Sequence, residues 1–162
     1  LIALIIMYAL LATQMKSYVQ PLIILIAIPF GVGGAILGHL ILGYDLSFPS
    51  IFGTVALSGV VVNASIVLID RFNINVNERR LAPVDAIAEA AARRFRPVLI
   101  TTLTTALGLL PIITEQSPQA QFLVPMAVSL GAGLVFASMA VLMLLPAFVM
   151  IVEGLRGRLS ER

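Results

Sequence analysis

The chain has 162 residues, 60% of them hydrophobic and 11% charged, with net charge +2, one histidine and no cysteine. A soluble domain carries roughly half apolar and a quarter charged residues, so a water-soluble globular fold is excluded, and the lack of cysteine excludes disulfides and thiolate metal centres. The class that remains is an all-α, polytopic membrane protein.

Five apolar stretches follow in order, at roughly 1–13, 21–43, 50–70, 97–114 and 122–152. A helix needs about 20 residues to cross some 30 Å of hydrocarbon. The first stretch, LIALIIMYALLAT, reaches only about 20 Å by that measure. It starts without methionine, basic flank or cleavage site, and reads as a span cut short in a fragment, or one lobe, of something larger. The second holds FGVGGAILG, where Gly34 and Gly38 stand four apart. Small residues at that spacing let another helix approach closely. His39, near the far end of this span, has no ligand-like neighbours in sequence and reads as structural.

The third stretch contains ALSGVVVNASIVLID, with Asn63 at its centre and Asp70 at its end. Positions 56, 59, 63, 67 and 70 form one helical stripe, so Asn63 is expected to face protein, with Gly59 admitting the partner helix. An amide there either bonds across a helix contact or marks an ion path. Asp70 is either an interfacial carboxylate paired with nearby arginines or a member of that path.

Residues 71–96 form the one sizeable loop. RFNINVNERRLA is polar and turn-prone. PVDAIAEAAARR then predicts a short amphipathic helix on the cytoplasmic surface. Pro83 suits its first turn, and Asp85 and Glu89 early with Arg93 and Arg94 late suit its dipole. Pro97 is expected to begin the fourth span, whose ITTLTTALG places Thr101, Thr104 or Thr105, and Gly108 on one face. Threonine hydroxyls in helices often bond back to the i−4 carbonyl; alternatively, Thr101 lines a hydrated path beside Asn63 and Asp70. The last span offers Gly131 and Gly133 as further packing positions.

Charge placement sets the topology. All ten Lys and Arg fall in the segments 14–20, 71–96 and 153–162, while 44–49 and 115–121 carry only Asp45 and Glu115. By the positive-inside rule the basic side is cytoplasmic, which gives five spans with the C-terminus inside. No serine–histidine–aspartate set, phosphate loop or metal cluster is present. Neither an enzyme, a bound cofactor or metal, nor a nucleic-acid partner is expected.

GVVVNASIVLIDRFN, then RFRPVLITTLTTALGLLPI, then a glycine-rich last span ending in LLPAF, resembles the resistance-nodulation-division (RND) permeases, with IPFGVGGAILGHLILG similar to their ninth membrane helix. The resemblance covers roughly 1–152 and corresponds to helices eight to twelve of twelve. It implies a proton-driven exporter of the bacterial inner membrane that handles drugs or other amphiphiles. Its partners would be the missing N-terminal half and periplasmic domains, two further copies in a homotrimer, a periplasmic adaptor and an outer-membrane channel. By motif, Asn63 falls where many drug exporters have a lysine and Thr101 falls on the relay threonine. Arg94 falls on an arginine near the cytoplasmic proton entrance, and Asp70 on the acidic residue closing the tenth-helix motif. The two proton-carrying aspartates of the fourth helix lie outside this chain. Two other classes compete: a proton-coupled accessory of protein translocation, and a membrane scaffold without transport.

Overall fold

The computed structural model describes residues 2–160, with side chains omitted at residue 3 and at 156–160. It is all-helical over these residues: α1 Ile2–Met15, α2 Gln20–Leu42, α3 Phe48–Asn77, α4 Pro83–Ile113, α5 Pro118–Gln121 and α6 Val124–Ser160. Four of these, α2, α3, α4 and α6 as far as Leu155, are long and apolar enough to cross a membrane, whereas Leu4–Met15 is a shorter apolar helix. The side chains of Arg156, Arg158 and Arg162, assigned above to a cytoplasmic tail, lie outside those described.

Helix α6 is the centre of the bundle, with α2, α3 and α4 all packed against it. Small residues make that possible. A Cβ at Gly38 would overlap the Ala132 side chain, and one at Gly34 would overlap Phe136. Gly133 lies against Leu57 and the Gly31 carbonyl, and Gly53 against the Met126 carbonyl. Helix α2 ends at Gly43, whose φ of 72° is the left-handed conformation that glycine adopts without a Cβ clash. Ser50 then receives the Ser47 backbone N–H at 3.1 Å and secures the start of α3.

The packed face of α3 is not the stripe expected from Gly59 and Asn63. Its buried residues are Pro49, Ser50, Gly53, Leu57, Val61, Val62, Ser65, Leu68, Ile69, Phe72 and Asn75, a helical band turned onto α6 and α2. Gly59 and Asn63 are exposed in this chain. Nothing lies within 4 Å of a Cβ at Gly59 or Gly108, and Gly131 makes only an ordinary 3.5 Å contact with Leu109. Sequence spacing defines stripes but not which of two small-residue stripes meets the partner. Here Gly53 in line with Leu57 and Val61 prevails, because it brings bulky apolar surface to the contact as well as a gap.

The loop 71–96 also differs from expectation. Helix α3 continues seven residues beyond Asp70 to Asn77, and no separate surface helix follows: α4 runs unbroken from Pro83 through Pro97 to Ile113. Proline inside a helix removes the bond to the i−4 carbonyl, here that of Arg93. The alanine-rich turns before it favour helix strongly enough to carry the chain through. Arg93 and Arg94 are therefore not at a helix end. Instead Arg93 bonds Glu89 at 2.8 Å one turn back, and Arg79 reaches the same carboxylate at 2.6 Å from the turn.

That turn is tight. Arg80 sits at φ 57°, Leu81 N–H bonds the Asn75 carbonyl at 3.2 Å, and Asn75 donates from Nδ2 to the Ala86 carbonyl at 3.0 Å. Asn75, which reads as loop in the sequence, is fully buried, and its Oδ1 has no partner among the described residues. Asn75→Ala should therefore cost only about 1 kcal/mol, since it removes one bond together with one unsatisfied oxygen. Asn75→Asp buries an unpaired charge and should cost about 3 kcal/mol or more. Thermal unfolding of the two variants in detergent checks this order.

Candidate functional site

The two ends of the bundle differ chemically. At one end the Gln20 and Asn73 amides exchange reciprocal hydrogen bonds of 2.7 and 3.0 Å, tying the start of α2 to the last turns of α3. Beside them opens a polar cleft of about 500 Å³ lined by Lys16, Asp70, Asn77 and Glu153 among others. At the other end the Tyr44 hydroxyl donates to the Ile113 carbonyl at 3.3 Å. His39 is buried there. A carbonyl can only accept, so Nδ1 donates to Ala35 O at 2.9 Å and Nε2 accepts from the Ser50 hydroxyl at 2.9 Å. Both ring nitrogens are thus engaged in holding α2 to itself and to α3.

Between the ends lies an open groove of about 170 Å³, walled by α3 and α4 with α6 as its floor. From α3 come Val60, Asn63, Ala64 and Val67. From α4 come Arg94, Pro97, Val98, Thr101 and Thr102, and from α6 Leu134 and Ser138. Spacings of three and four residues put each set on one face of its helix. Asn63 on α3 and, 31 and 38 residues later across the turn, Arg94 and Thr101 on α4 thus line one cavity. Asp70 does not line it. It stands about two turns beyond Asn63 and belongs to the polar cleft at the basic end.

The groove is amphipathic. Three valines, an alanine, a proline and a leucine line it, and the polar groups are one carboxamide, one guanidinium and three hydroxyls. Thr101 donates back to the Pro97 carbonyl at 2.9 Å, and Thr104 to that of Ile100 at 2.8 Å. Each hydroxyl oxygen keeps lone pairs free to accept. Arg94 is half-buried and Asn63 exposed, so both are open to a group entering from the side of α3 and α4 that the rest of this chain leaves uncovered. Across the hydrophobic window of α4 only 6% is buried.

Sequence reasoning passed over Thr102 and Ser138. Thr102 is buried at 7% exposure, and its hydroxyl meets that of Ser138 at 2.5 Å. The TT pairs signalled polarity in this helix. Which threonine turns inward depends on the position of α6, and nothing local encodes that.

The family model for the AcrB/AcrD/AcrF family matches residues 1–153. Among solved structures, the chain is similar to a heavy metal efflux pump in two crystal forms. Crystal form II gives 31% identity and a TM-score of 0.82, and crystal form I gives 32% and 0.79. Each match covers 94% of this chain and 15% of the pump, so the chain spans about 15% of the length of those relatives. The motifs 59–73 and 94–112 that carry the resemblance supply both walls of the groove, and the chain belongs to the AcrB/AcrD/AcrF family, the RND permeases.

Proposed function

We propose that this chain is the C-terminal half of the membrane domain of a proton-driven exporter in the bacterial inner membrane, and that the α3–α4 groove is its share of the coupling path. The observation that carries this reading is the convergence of Asn63, Arg94 and Thr101 on one cavity, beside a helix face the chain itself leaves open. Polar groups at membrane depth are costly and concentrate on ion paths. In this reading the proton-carrying carboxylates come from the absent half and meet Asn63 and Thr101 in the groove. Arg94 lies about two turns from Thr101 toward the basic end, at the cytoplasmic entrance. Asp70 belongs to the mouth at that end rather than to the groove. Assembly follows the family: a homotrimer, engaged with a periplasmic adaptor and an outer-membrane channel.

Cargo divides two readings. The motifs favour amphiphilic organic compounds. The similarity to heavy metal efflux pumps favours a second reading, in which the complete permease exports metal ions. Deleting the full-length gene in its host should sensitise cells either to dyes and detergents or to cadmium, copper and zinc salts. Unchanged tolerance to every one of these compounds would count against export and favour the scaffold.

Orientation has its own test. Cysteines at Ser47 and Gln119 of the full-length permease should react with a membrane-impermeant thiol reagent applied to spheroplasts. A cysteine at the exposed Glu78 should react only after lysis. Labelling at Glu78 in sealed cells would invert the topology and remove Arg94 from a cytoplasmic entrance.

A further inference from the structure

Beyond Ala90, Thr102 is the single buried residue of α4. The membrane-embedded part of that helix thus has one fully buried residue, a polar one, while its other contacts, such as Leu109 beside Gly131 and the Ile113 carbonyl bonded by Tyr44, are half-buried or exposed. The direction of that contact is fixed by chemistry. Ser138 donates its one hydroxyl proton to the Leu134 carbonyl at 2.7 Å, so at the 2.5 Å contact the Thr102 hydroxyl is the donor and Ser138 the acceptor. The chain of bonds runs Thr102 to Ser138 to Leu134, from α4 into the backbone of α6, and all three residues line the groove.

Pro97 lies between this point and the buried Ala86, Ile87 and Ala90 at the start of α4. It leaves the Arg93 carbonyl without its helical partner, which makes it the natural place for the helix to bend. Arg94 is on one side of that hinge and Thr101 on the other, and both face the groove. The separation and relative rotation of these two groups are therefore set by the bend at Pro97 and by whatever holds the helix beyond it.

We propose that Thr102 and Ser138 are positioning residues for the groove: their hydroxyl bond pins α4 above the Pro97 hinge and keeps Thr101 turned toward Asn63 and Arg94. Neither hydroxyl carries a proton along the path; Ser138 is committed to a backbone carbonyl and Thr102 to Ser138. This role rests on the groove being the coupling site, but the geometry of the pin does not. The two are separable by experiment.

The test uses the full-length permease with Thr102→Val, Ser138→Ala, the double variant and Thr102→Ser. The geometric readout is cross-linking of an introduced pair, Ala64→Cys with Val98→Cys, both of which line the groove, by thiol reagents of graded length. With the pin intact a narrow range of lengths should react; Thr102→Val and Ser138→Ala should each broaden it. The functional readout is export of cadmium and of a fluorescent amphiphilic cation at matched membrane levels. For whichever probe is moved, the maximal rate should fall about threefold to twentyfold, the range that one interhelical hydrogen bond commands in a membrane. The apparent KM should stay within about twofold, because cargo is not bound here. The double variant should be no worse than either single one, and Thr102→Ser should restore the rate. Unchanged cross-linking in Thr102→Val overturns the pin. Broadened cross-linking with unchanged export by an active transporter leaves the pin but overturns its positioning role. Should neither probe be moved by the parent protein, the export reading fails while the cross-linking result still decides the pin.

Discussion

Gly53→Leu should prevent this bundle from assembling. A Cβ at Gly53 would run into the Met126 carbonyl and come within 2.8 Å of Ser129 Cβ. The first obstacle is backbone, which cannot rotate aside as a side chain would. Accommodating leucine means separating α3 from α6, along the contact that also buries Leu57, Val61 and Ser129. Overpacking of this kind costs about 3 kcal/mol or more when no rotamer relieves it. Gly59→Leu is the informative control, since no atom stands within 4 Å of a Cβ there. In the purified chain in detergent, the first variant should melt early or fail to accumulate, and the second should melt close to the parent. Equal behaviour of the two would mean that the packed stripe of α3 has been misassigned.

Asn63→Ala and Thr101→Ala should each abolish export by the complete permease without lowering its membrane level. Both positions are exposed in this chain, so neither substitution opens a cavity or strands a buried group within it. If Asn63 served only as a helix-to-helix hydrogen bond, its loss would cost about 0.6–2 kcal/mol of stability and leave export near normal. As part of a proton path each variant should lose export, and the double variant should be little worse than the single ones, because groups acting as one unit are not additive. Accumulation of a fluorescent substrate or of cadmium in cells, with protein levels measured alongside, separates the two. Near-normal export by a well-expressed Asn63→Ala variant would leave Asn63 as packing alone.

Much of the architecture is legible in the chain because membrane helices are set by length and apolarity. The long apolar runs became α2, α3, α4 and α6, and Gly34, Gly38 and Gly133 stand at their closest approaches. The failures have a common physical form. Charge begins at Asp70, and on sequence alone the third span ends there. Yet Phe72 and Asn75 are buried, and the Asn75 amide bonds the Ala86 carbonyl at the start of α4, a tertiary contact that holds the helix together two turns further. Pro97 separates a surface helix from the fourth span on sequence alone, because proline usually begins or ends a helix, but here it lies within one. The spacing has the face of α3 that carries Asn63 meet a partner helix. In this chain it is the open wall of the groove. The residues alone offer Thr101 beside Asn63 as one of two alternatives, and only the family motifs bring Arg94 into the set, since these groups sit on two helices whose relative rotation no local pattern encodes. Thr102 and Ser138 needed the position of α6, and only the fold supplies it.

The most direct test of the coupling role is proton movement itself. The complete permease is reconstituted in sealed liposomes with a pH-sensitive dye inside, and proton flux is followed on addition of the exported substrate. The parent protein should show substrate-dependent proton movement. The Thr101→Ala variant, at equal protein density and equal thermal stability, should show none. Substrate-dependent proton flux in Thr101→Ala equal to that of the parent would contradict the assignment of the α3–α4 groove as the coupling path.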